Sequence, residues 1–171
     1  MKQIPSLIST LCTLITILHG SSAQEAYQIL ALNLHNQYRQ IHHAPPLQMD
    51  NQLNSLAVQC AQYYVGLGTI NHSCPYKKDA GENLAEAHSA SWNNNQFAEV
   101  STKMWYDESS QYNYNNPGFF LQTGHFTQLV WKSSQNFGFG YFTLNGYTVS
   151  VGLYSPSGNY AGQFQTNVLQ P

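Results

Sequence analysis

Four side chains in this sequence carry the functional groups that proton transfer or metal binding would need: His72, Glu82, Glu108 and His125. Imidazoles and carboxylates serve both chemistries, as general acids and bases and as metal ligands. Their spacing matches no short motif. There is no HExxH, CxxC or Gly-x-Ser-x-Gly, and no glycine loop that would cradle a phosphate. Taken singly, each has an ordinary reading. Glu82 follows Gly81 and precedes Asn83–Leu84–Ala85, the place of a carboxylate in the first turn of a helix. Glu108 near a helix end reads as solvated. The remaining histidines, His35, His42, His43 and His88, read as surface or hydrogen-bonded residues.

The elements that would position these groups are partly readable. Gly124–Ser134 places His125 ahead of Phe126, Leu129 and Val130, whose i, i+3, i+4 spacing marks one buried helix face. Tyr27, Leu30, Ala31, Leu34, Tyr38 and Ile41 predict an amphipathic helix from about Ala26 to Gln40, stopped by Pro45–Pro46. A second helix, capped by Asp50 or Asn51, carries Leu53, Leu56, Ala57, Cys60 and Tyr64 and ends at Gly66 or Gly68. Residues Asn71–Asn83 are irregular, with Pro75 and Gly81 as breakers. A third helix follows Asn93–Asn95 with Phe97, Val100, Met104 and Trp105. Tyr112–Leu121 reads as a loop. Phe137–Thr143 and Tyr147–Tyr154 read as strands joined by a type I′ turn at Asn145–Gly146. Helices first and strands mostly last predict an α+β fold with helices on an antiparallel sheet.

The chain has 171 residues, a natural size for one domain. Only 8% are charged, about a third of the usual share, and no Lys/Arg run exists, which disfavours nucleic acid as a partner. Residues 1–23 have the build of a cleaved secretory signal peptide: Lys2, an apolar Leu7–Leu18, and small residues through Ala23. The apolar stretch is short for a membrane span, so no transmembrane anchor is expected. Cleavage would leave a domain over 24–171, change the net charge from −2 to −3 by loss of Lys2, and leave Cys60 and Cys74 as the cysteines. In an oxidising compartment the pair suits a disulfide closing a loop worth roughly 3 kcal/mol. Alternatively, Cys60 simply fills a core face. Asn71–His72–Ser73 is the one N-glycosylation sequon, expected to be poorly used because a glycan would crowd His72.

Several ordered segments resemble the CAP superfamily of cysteine-rich secretory, antigen 5 and pathogenesis-related proteins. Gly124-His125-Phe126-Thr127-Gln128-Leu129-Val130-Trp131-Lys132-Ser133-Ser134 resembles the family's first signature and Tyr154–Tyr160 the end of its second. Leu34–Arg39, Asn71–Ser73, Gly81–Leu84 and Trp105–Glu108 resemble its other motifs. Gly152 stands where many members have a cysteine, which places the pattern nearest the cysteine-poor Golgi-associated type.

The resemblance implies a three-layer α-β-α sandwich of the CAP/SCP type with a mainly antiparallel central sheet. It also implies a cleft gathering His72, Glu82, Glu108 and His125. There it suggests zinc on His72 and His125, with the two glutamates supporting, and an affinity that falls once the imidazoles protonate. It further implies that Tyr112, Tyr114, Pro117, Phe119, Phe120 and Leu121 contact a sterol or other small lipid. The expectation is thus a secreted, extracellular, non-enzymatic binding protein. The alternatives are a metal-assisted hydrolase or peptidase using Glu82 or Glu108 as base, or a defence or signalling ligand acting through a protein partner.

Overall fold

A computed structural model describes residues 25–88 and 92–171. The signal-peptide reading of residues 1–23 lies outside the described residues. Helix α1 spans Ala26–Ile41, and α2 spans Asn51–Leu67 with Asp50 accepting from the N–H groups of Gln52 and Leu53. Helix α3 spans Asn94–Asp107, the short α4 Gly124–Leu129 and α5 Phe164–Asn167. Strands β1 (Gln48–Met49), β2 (Gly81–His88), β3 (Asn136–Leu144) and β4 (Tyr147–Ser155) form one sheet in the order β1-β3-β4-β2. The β2–β4 and β3–β4 pairs are antiparallel and the two-residue β1–β3 pair is parallel. The sheet is therefore mixed, with an antiparallel majority. No helix among the described residues is long and apolar enough to cross a membrane.

Period-2 alternation gives the sheet two apolar faces. Val149, Val151 and Leu153 of β4 pack with α2, while Phe137, Phe139 and Tyr154 pack with α1, α3 and α4. That is the α-β-α sandwich. Helix α2 lies directly on the sheet at Gly138 and Gly140, where any Cβ would come within 2.3 Å and 2.1 Å of the helix backbone. Gly152 faces the other layer. A Cβ there would meet the Trp105 ring at 3.1 Å and the Phe137 ring at 3.2 Å. Two aromatic rings thus fill the space a cysteine would need. Asn145 (φ 51°) and Gly146 (φ 78°) make the expected hairpin turn, and Cys60 and Cys74 are disulfide-bonded.

Three expectations need correction. Glu82 lies in strand β2, not in the first turn of a helix. Its register comes from β4, with Gly81 opposite Tyr154 and His88 opposite Tyr147, and this pairing overrides the weak strand propensity of Gly-Glu-Asn. The face that α1 buries is also rotated from the apolar one: Tyr27, Gln28, Ala31, His35 and Arg39 are inside, while Ile41 is exposed. Likewise Met104 of α3 is exposed, with Ser101 and Thr102 buried in its stead.

The α1 burial is possible because the polar groups are satisfied. Arg39 donates to four carbonyls: Pro45 (2.8 Å), Leu129 and Trp131 (both 2.9 Å) and Ser134 (3.0 Å). Burial lowers its pKa to about 10, so it keeps its charge at neutral pH. His35 donates from Nδ1 to the Ala31 carbonyl at 2.7 Å, which leaves Nε2 to accept the Tyr154 hydroxyl at 2.8 Å. Burial pushes the His35 pKa down to about 3, and the ring stays neutral.

Candidate functional site

His125 is the second residue of α4, and its helix is clamped at both ends. Glu108 accepts the backbone N–H of His125 (2.9 Å) and of Phe126 (3.1 Å), donors that a helix start leaves without internal partners. At the far end Arg39 takes the Leu129 carbonyl. Phe126, Leu129 and Val130 are fully buried, as their spacing predicts. The other Glu108 oxygen receives His125 Nδ1 at 2.7 Å. One carboxylate therefore caps the helix and orients the ring it carries. Glu108 is not a solvated helix-end residue.

The second pair comes from a strand and a loop. Glu82 and Leu84 point to the α2 side of the sheet, where the Tyr64 hydroxyl lies 3.2 Å and 3.0 Å from the two Glu82 oxygens. Burial foremost raises the Tyr64 pKa, which keeps that hydroxyl a donor. His72 meets Glu82 from outside, Nδ1 to Oε2 at 2.9 Å. Between the pairs, Asn83 points to the opposite side of β2 from Glu82 and donates to the His125 carbonyl (2.9 Å) and to the Tyr154 hydroxyl (3.1 Å). A buried polar chain thus runs from Ala31 through His35, Tyr154 and Asn83 to the backbone of His125.

Both histidines and Glu82 share one cleft of about 390 Å³, lined by His72, Glu82, Asn83, Phe119, Leu121, Gly124, His125 and Asn159, which Glu108 joins through its bond to His125. Asn159 donates to the Gly124 carbonyl at 2.9 Å and accepts Thr127 Oγ1 at 2.6 Å, closing the floor behind α4. A larger groove of about 580 Å³ runs along α1, but its lining of Asn, Gln, Pro and one histidine gathers no acid. The smaller cleft holds the chemistry.

The predicted lipid-contact residues divide. Tyr112 is buried against Phe126 (ring centroids 5.6 Å apart) and Tyr114 packs on Tyr112 at 4.9 Å, so these two belong to the core. Pro117 is half-buried. Phe119 (54% exposed), Phe120 and Leu121 (86% exposed) stand out at the rim. Tyr64, Asn83 and Asn159 complete the site but were not singled out from sequence. In sequence Tyr64 carries only the signature of a core face, and Asn83 and Asn159 have no spacing signal of their own.

A metal at this site would take its protein ligands from His72 and His125. Each ring commits Nδ1 to a glutamate, so a neutral ring carries its proton there and turns the Nε2 lone pair outward. That is the carboxylate–imidazole support usual behind zinc ligands. Among the described residues no group of three or more His, Cys, Asp and Glu converges to hold a metal ion. The two imidazoles would be the protein's contribution and water would complete the shell. By donor type the two neutral imidazoles suit zinc, with the glutamates as supports.

Comparison with known proteins places this geometry in context. The model of the cysteine-rich secretory protein (CAP) family matches residues 32–154. The chain is 36% identical over 156 residues to Golgi-associated plant pathogenesis-related protein 1 of Homo sapiens, covering 89% of this chain and 98% of the relative. It is 33% identical over 166 residues to the basic form of pathogenesis-related protein 1 of Nicotiana tabacum, covering 95% and 88%. Among solved structures, that of NaASP2 with Zn2+ superposes with a TM-score of 0.73 at 22% identity, over 86% of this chain and 88% of the other.

Proposed function

The chain belongs to the cysteine-rich secretory (CAP) family, and on that premise we propose that it is a secreted, non-enzymatic binding protein for sterol or another small lipid, with zinc held in the cleft. One observation carries the lipid reading. Phe119 and Leu121 line the cleft beside His72, Glu82 and His125, and they stand exposed together with their neighbour Phe120. Burying each such side chain against lipid gains ~1.5–3 kcal/mol. Three such contacts supply about 4.5–9 kcal/mol before the cost of association, so a micromolar affinity also needs the ligand's own buried apolar surface.

The metal reading draws on the imidazole tautomers described above, and the solved NaASP2 structure with Zn2+ has the same fold. A hydrolase is less well served. Both glutamates already accept from neighbouring groups, Glu108 from three donors and Glu82 from Tyr64 and His72, so each has a supporting task in place. Their supporting role suits binding better than turnover.

Two variants test the reading by double dissociation. Phe119→Ser/Phe120→Ser should lower sterol affinity at least tenfold, with zinc affinity and thermal stability unchanged. His125→Ala should lower zinc affinity at least tenfold. Sterol binding that survives the first variant, or zinc binding that survives the second, removes the corresponding half of the proposal.

A further inference from the structure

The His72 side of the cleft is held through one covalent link. His72 sits in a loop with left-handed backbone (φ 62°), and among the described residues its ring hydrogen-bonds Glu82 alone. Glu82 is fixed by Tyr64, and the same Tyr64 hydroxyl accepts the backbone N–H of Cys74 at 3.0 Å. Cys74 follows His72 by two residues and is bonded to Cys60. Cys60 and Tyr64 are four apart on α2, one above the other on the same helix face. A closed ring results: Cys60 along α2 to Tyr64, Tyr64 to the Cys74 N–H, and Cys74 through sulfur back to Cys60.

We infer that this ring positions His72, with Tyr64 as the positioning residue, and that thiol–disulfide exchange at Cys60–Cys74 switches the His72 arm of the cleft. The metal consequence rests on the zinc reading above; the positioning does not. The reductant is a dithiol. One of its thiolates attacks a protein sulfur, its second thiol resolves the mixed disulfide, and it leaves as a disulfide. The protein gains two electrons and two protons as the thiols of Cys60 and Cys74.

Two thiols need more room than one S–S bond, and the sides yield unequally. Cys60 is locked inside a 17-residue helix lying on the sheet, whereas Cys74 closes an exposed loop. The loop moves. Its displacement withdraws the Cys74 N–H from Tyr64 and carries off His72, leaving Glu82 without its imidazole. His125 has no bond to this ring, since Glu108 and α4 hold it. Reduction therefore turns a two-imidazole cleft into a one-imidazole cleft. Both sulfurs are buried, so exchange waits on local opening of the loop and is slow.

The test uses the full chain, oxidised and then reduced with dithiothreitol until two thiols titrate. Ring nitrogens of His72 and His125 are followed by 15N-resolved NMR, and zinc affinity by competition with a chelator. Reduction should remove the hydrogen-bonded Nδ1–H signature of His72, leave that of His125, and weaken zinc at least tenfold. Tyr64→Phe keeps the bridge and the buried ring. In the oxidised state it should shift the His72 signature alone and weaken zinc about threefold to tenfold. A His72 signature unchanged by reduction overturns the inference, as does one unchanged in Tyr64→Phe, the deciding arm if the reduced chain unfolds. Equal changes at both histidines also overturn it. An oxidised wild type that binds no zinc removes the metal reading alone, because the ring signatures still decide the switch.

Discussion

His125–Glu108 and His72–Glu82 are the same chemical pair held in opposite ways. In each, an imidazole Nδ1 meets a glutamate, at 2.7 Å and 2.9 Å. In the first the histidine is built into a helix and the glutamate caps that helix; the side chains are 31% and 17% exposed. In the second the glutamate is built into the sheet at 2% exposure and the histidine hangs from a loop at 56%. The first pair draws its precision from backbone hydrogen bonds, which any loosening of α4 would break together. The second draws it from Tyr64 and one disulfide, with an exposed hydroxyl contact from Tyr63 to Ser73 beside them. A cleft made this way has a fixed wall and an adjustable wall.

The strongest way to break the comparison is acid. The fixed wall rests on the chain His35–Tyr154–Asn83, and burial pushes the His35 pKa down to about 3. The unfolded chain takes up that proton near pH 6.5, the folded chain only near 3, so the unfolded state binds more protons throughout the interval. Stability should therefore fall as pH drops from about 6.5 toward 3, by up to about 1.4 kcal/mol per unit and several kcal/mol in all. His42, whose pKa burial also lowers, adds in the same direction. Urea unfolding at pH 7, 5 and 4 measures this, and His35→Gln should show a shallower dependence. A flat wild-type profile would mean that the buried chain does not carry the fixed wall.

A smaller effect separates the two glutamates directly. Glu108→Ala removes a helix cap and two charge-assisted backbone bonds and should cost about 2–4 kcal/mol. Glu82→Ala also relieves a buried charge and should cost about 1 kcal/mol. Urea midpoints of the two variants compare them, and equal losses would erase the distinction between the walls. The finest test leaves the chain unmutated. The amides of His125 and Phe126, both bonded to Glu108, should exchange with deuterium about a hundredfold more slowly than that of His72. Comparable rates would place the His125 wall among the locally opening parts.

Where sequence reading succeeded, a local rule had no rival. Asn145–Gly146 demands positive φ at both positions and forms the turn; Phe126, Leu129 and Val130 share one face and are buried. It failed where partners distant in the chain decide. The apolar stripe of α1 predicts Leu30, Leu34 and Ile41 inside, yet His35 and Arg39 are buried because Tyr154 and the carbonyls of Leu129, Trp131 and Ser134 receive them. Tyr112 and Tyr114 look like their neighbours Phe119 and Phe120 in sequence. Tyr112 packs against Phe126 and Tyr114 packs on Tyr112, whereas Phe119 and Phe120 are exposed.

Helices α1 to α4, the hairpin, the disulfide-capable pair and the four polar residues are legible in the sequence, since each depends on neighbours a few positions away or on a run of matching motifs. How those four are used depends on the packing of the layers. Glu82 became a strand residue through pairing with β4, Glu108 a helix cap through a contact 17 positions away, and Tyr64 a link between bridge and cleft. Hydrogen bonds of that reach leave no periodicity to read. They depend on which buried donors and acceptors the packed layers bring face to face.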